Sequence, residues 1–74
     1  MTKLPTGFTM DLDSVHYIMY EGTYNFGKEA VLEIMCDGAT VRLFGTPEQI
    51  SESKAMILDN INERIKQCQK NQKK

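Results

Sequence analysis

The sequence predicts an α+β domain in which a small antiparallel sheet is packed by a long C-terminal helix. Two features carry this. Thr46-Pro47-Glu48-Gln49 opens a stretch with no further glycine or proline, and Asp37-Gly38 separates two apolar, strand-like segments. The length, 74 residues, admits one domain with a thin core. A composition of 41% hydrophobic and 26% charged residues is that of a folded domain rather than a disordered chain.

The elements follow in order. Phe8, Met10 and Leu12 alternate with Thr9 and Asp11, as in a short strand with one buried face. From residue 13 two readings stand. Asp13 or Ser14 caps a short helix with Val15, Ile18 and Met19 inward, or Val15 to Tyr20 is a second strand, which Tyr and Ile favour slightly. The first gives the order strand, short helix, loop, hairpin, helix; the alternative is a four-stranded meander plus one helix.

Ala30 to Cys36 and Ala39 to Gly45 form a hairpin about Asp37-Gly38, the dipeptide a two-residue type I′ turn prefers because both central residues need positive φ. The turn sets the register. Cys36 faces Ala39, Ile34 faces Val41 and Leu32 faces Leu43 on an apolar side. Met35 faces Thr40, Glu33 faces Arg42 and Val31 faces Phe44 on a wetter one.

Thr46 is the N-cap of the last helix, Pro47 its first residue and Gln49 the partner in a capping box. At 100° per residue Ile50, Ile57, Ile61, Ile65 and Cys68 share a stripe with Leu58 at its edge, and Met56 points elsewhere. The helix is expected to reach about residue 68, closing a domain over 1–68 and leaving 69–74 as a basic frayed tail.

Net charge −1 conceals an asymmetry. Before residue 64 ten acids oppose four bases, a balance of −6; from Arg64 onward there are five bases and no acid. No basic stripe marks the body as a phosphate-binding groove, and the tail reads as a solubilising helix end suited to the C-terminal dipole. No signal-peptide pattern and no stretch of roughly 18 apolar residues is present, so a cytoplasmic location and no membrane partner are expected. Cys36 and Cys68 are too few for a disulfide framework and read as small apolar residues.

Ala39 to Ile61, with its strand ending in Gly45, the Pro47-Glu48-Gln49-Ile50 helix start, Ser53, Lys54 and the paired aliphatics Ile57 and Leu58, resembles the final strand and helix of a K-homology (KH) domain. Val15 to Thr23 is similar to that family's first helix and glycine loop, which grips a nucleic-acid backbone. The pattern departs at the loop. Tyr20 and Thr23 stand at the two glycine positions, Glu21 where a base is common, and Gly22 alone matches. Side chains there block close approach to phosphates. Only Tyr24 to Glu29 separates the loop from the hairpin, room for one helical turn at most. The resemblance implies a KH-like fold with a degenerate RNA-gripping loop.

Other constellations carry less. Gly22 to Glu29 nearly spells a phosphate-binding loop, but Glu29 replaces the hydroxyl residue and a hairpin follows instead of a helix. Asp11, Asp13 and His16 read as a cap and a surface ring rather than a metal or acid–base site, and no cofactor, small-molecule substrate or enzymatic chemistry is expected. Tyr17, Tyr20, Tyr24 and Phe26 crowd into ten residues around Gly22 and Gly27, with Lys28 the nearest lysine, as core closures, interface anchors or base-stacking platforms. Acids at Glu21 and Glu29 favour a protein partner over RNA. A strand of seven residues spans about 23 Å, so helix packing ends near Ile61, and Ile65 and Cys68 overhang, available to a partner or a second copy.

The expected function is a non-catalytic interaction module, a protein-binding adaptor or inhibitor using Tyr17, Tyr20 to Tyr24, Phe26 and Lys28, the helix residues Ile65 and Cys68, or both. The alternative is a single-stranded RNA-binding KH domain. A third reading is an acidic inhibitor occupying a nucleic-acid site on another protein.

Overall fold

A computed structural model describes the backbone of residues 1–72 and the side chains of residues 1–68. Its elements are β1 (Thr2–Lys3), β2 (Thr9–Met10), a 3-10 turn (Leu12–Ser14), β3 (Val15–Tyr24), β4 (Glu29–Cys36), β5 (Ala39–Gly45) and α1 (Pro47–Gln72). The architecture is α+β: a three-stranded antiparallel meander β3-β4-β5, a separate β1-β2 ribbon, and one helix across the sheet.

The predicted hairpin register is the observed one, from Cys36 opposite Ala39 to Val31 opposite Phe44. Its apolar side is the core, where Leu32, Ile34 and Leu43 are fully buried under α1 residues Ile50 and Ile57. Ser53 is also fully buried. Its hydroxyl donates back to the Gln49 carbonyl at 2.8 Å, which satisfies it within the helix and lets the helix lie close to the sheet. The capping box forms as read: Gln49 N donates to Thr46 Oγ1 at 3.2 Å, and Thr46 N to Gln49 Oε1 at 3.0 Å. Met56 and Ile61 pack partly against the core, whereas Leu58 is exposed. The inward stripe therefore lies slightly to the other side of the helix from the expected one. The helix runs on to Gln72, and the side chains of the basic tail, residues 69–74, lie outside the described residues.

Residues 15–24 correct the expected order. No short helix and no loop lie there: β3 is a ten-residue strand. Val15 and Ile18 share a face at helical spacing because the β3-β4 register shifts between Val15 and Tyr17 and again between Ile18 and Tyr20. His16 and Met19 are bulged out, and each extra residue resets the two-residue alternation. The meander has three strands rather than four, since the N-terminal strand shrinks to Thr9–Met10 and pairs with Thr2–Lys3.

The turn at Asp37-Gly38 is also not type I′. Gly38 has φ 72° but Asp37 stays at negative φ, its N–H drawn to the Ser14 carbonyl at 3.1 Å. Asp11 caps the 3-10 turn through Asp13 N at 3.0 Å. Arg64 then ties that turn to α1, donating to the main-chain oxygens of Asp13 (3.1 Å), Leu12 (3.3 Å) and Val15 (2.6 Å).

Candidate functional site

The helix covers one face of the meander and leaves the other open. Residues paired across an antiparallel ladder share a face. The open face therefore holds Tyr17, Tyr20, Gly22 and Tyr24 from β3, Val31, Glu33 and Met35 from β4, and Thr40, Arg42 and Phe44 from β5. Tyr17, Tyr20 and Phe44 each remain more than half exposed, at 53%, 54% and 57%. Met19, freed by its bulge, reaches over β4 to put Sδ 3.9 Å from Thr40 Oγ1. Arg42 Nε lies 3.4 Å from Glu33 Oε2 at the centre of the face, an internally neutralised pair among rings and thioethers.

Gly22 has a specific role on this face. A Cβ there would stand 2.7 Å from Cζ of Tyr20, so the bare backbone is what allows the Tyr20 ring to lie along the strand. The ring thereby lies over the Gly22 position, in the same cross-strand row as Val31, which is opposite Gly22, and Phe44, which is opposite Val31.

At the end of the face the β3-β4 turn runs Asn25-Phe26-Gly27-Lys28. Asn25, Phe26 and Gly27 all take left-handed φ, at 53°, 57° and 78°. Gly27 N donates to the Tyr24 carbonyl at 3.2 Å and Lys28 N to that of Asn25 at 3.1 Å, so the type I′ geometry falls on Asn25-Phe26. The Asn25 amide donates to Glu29 Oε2 at 3.0 Å. Asn tolerates this conformation; for Phe it costs about 1–2 kcal/mol. Phe26 recovers nothing by packing, since it is 99% exposed.

The residues grouped together in the sequence thus separate. Tyr17, Tyr20, Gly22 and Tyr24 meet on the open face, Phe26 and Lys28 lie in the turn, and Glu21 and Thr23 fall on the opposite side. Glu21 pairs with Lys54 of α1 at 2.7 Å, so its charge is engaged away from the tyrosines and does not guard them. Phe44, Met19 and Met35 join the face although the aromatic cluster in the sequence does not include them. The hairpin register signals Phe44 and Met35, both on its wetter side; Met19 is brought there only by its bulge in β3.

The remaining chemistry is dispersed. Asp11 caps, Asp13 accepts from Asn60 at 3.0 Å, and His16 pairs with Asp37. Among the described residues no group of His, Cys, Asp and Glu is arranged to hold a metal. Cys36 is buried, Cys68 exposed, and both are free thiols. A cleft of about 260 Å³ lies between β3 and the start of α1, lined by Glu21, Gly22, Thr23, Ala30, Pro47 and Ile50; it offers one already paired carboxylate and one hydroxyl. No helix among the described residues is long and apolar enough to cross a membrane. Beyond Ile61 the helix leaves the sheet, with Arg64 its last anchor among the described residues, Ile65 half exposed and Cys68 exposed. In comparisons with known proteins the chain matches no family model, no curated protein and no solved structure.

Proposed function

We propose that this chain is a non-catalytic interaction module whose open sheet face and β3-β4 turn receive a protein partner. The observation that carries this reading is Phe26, a large apolar ring held in full solvent by a backbone conformation that disfavours it. Strain of this kind persists where surrounding structure enforces it and clusters at recognition sites. Behind it, Tyr17, Met19, Tyr20 and Phe44 supply rigid or adaptable apolar area of the type that dominates protein interfaces. The central ion pair contributes orientation rather than net charge.

Single-stranded RNA is the second reading. Tyrosines on an open antiparallel sheet suit base stacking, and residues 39–61 resemble the closing strand and helix of a KH domain. The charge opposes it: the body before residue 64 carries −6, and Arg42 is engaged by Glu33. Photo-cross-linking from position 26 in cells tests the choice. A defined polypeptide adduct is expected; an adduct removed by ribonuclease would favour RNA.

A further inference from the structure

Leu58, Ile61, Ile65 and Cys68 follow one another at spacings of three, four and three residues, the a and d pattern of a coiled-coil seam. Of these only Ile61 packs against the core of this chain; Leu58 is 39% and Ile65 50% exposed, and Cys68 is exposed as well. Ala55 and Asn62, which flank the seam, are uncharged. Glu63 lies on the far side of the helix, paired with Lys66 at 3.9 Å.

The charges along the helix choose the occupant. From Pro47 to Glu63 there are four acids and one base, and that base, Lys54, is paired with Glu21. After Glu63 the sequence has no acid, and α1 as described carries three bases, Arg64, Lys66 and Lys70. Two copies side by side and parallel would set base against base. Antiparallel copies set the basic end of each against the acidic half of the other, which is favourable at both ends. The spacing fits the same arrangement. With the two-fold axis at residue 63, Leu58 meets Cys68 of the second copy and Ile61 meets Ile65, each an a position against a d position.

We infer that this chain self-associates through α1 as an antiparallel, two-fold symmetric helix pair centred on residue 63. This leaves the open sheet face free and does not depend on what that face binds. The seam is about 15 Å long at roughly 1.5 Å per residue, so association in the micromolar rather than the nanomolar range is expected.

Sedimentation equilibrium and disulfide trapping test the proposal. Wild type is expected near twice 8.5 kDa at high micromolar concentration, and Ile65→Asp at the monomer mass with an unchanged circular dichroism spectrum. In the antiparallel pair the two Cys68 residues are about 15 Å apart along the axis, too far for a disulfide. Mild oxidation is therefore expected to leave wild type unlinked and to link Leu58→Cys as a dimer, with peptide mapping finding the bond between positions 58 and 68. A monomeric wild type, a dimer that survives Ile65→Asp, or a wild type linked through Cys68 on both copies would each overturn it.

Discussion

The ring of Tyr20 lies over the backbone of Gly22, two residues further along β3, with Cζ 2.7 Å from where a glycine Cβ would stand. A tyrosine and a glycine that look like fragments of a loop in the sequence are one packing unit on the sheet. Gly22 is not at positive φ, so Ala is allowed at that position. Gly22→Ala is expected to push the ring off the strand, shifting the Tyr20 ring resonances by NMR. Stability should change by less than about 1 kcal/mol, since the displaced atoms end a movable side chain.

Phe26 opposes stability. Phe26→Gly places Asn-Gly in a type I′ turn and removes a left-handed Phe that touches nothing, so stability is expected to rise by about 1 kcal/mol. For a domain of this size that is a gain of roughly 4–8 °C in Tm. Partner capture should fall in the same variant. A lower Tm would show that the ring packs on the protein after all.

Arg64 satisfies three main-chain oxygens of a turn about fifty residues away in sequence. Arg64→Ala is expected to cost about 1.5–3 kcal/mol in urea denaturation, with faster amide exchange around Leu12 to Val15. Arg64→Lys should recover only part of this, because one ammonium cannot reproduce the guanidinium fork.

The capping box at the start of α1 is more local. Thr46→Ala removes the acceptor for Gln49 N and is expected to cost about 1 kcal/mol by the same measurement.

What could be read in advance was short-range. The Thr46–Gln49 reciprocity involves four residues, and the β4-β5 register follows from a two-residue connection between alternating segments. The same pattern identified Leu32, Ile34 and Leu43 as one face. β3 was obscured because the bulges at His16 and Met19 convert a two-residue period into the three-residue spacing of Val15 and Ile18, which mimics a helix. Asp37-Gly38 lost its type I′ geometry to a contact with Ser14, and Arg64 gave no local sign of its distant carbonyls. The aromatic cluster was visible as composition, but its division by face, with Tyr20 on one side and Glu21 on the other, required the pairing with β4.

Photo-reactive phenylalanine analogues placed singly at positions 17, 26 and 44, with position 52 on the outer side of α1 as the control, report what the open sheet face binds. The same polypeptide captured from all three sheet-side positions, resistant to ribonuclease and absent from position 52, is the predicted result. Capture from position 52 alone, or ribonuclease-sensitive adducts from the sheet-side positions, would contradict it.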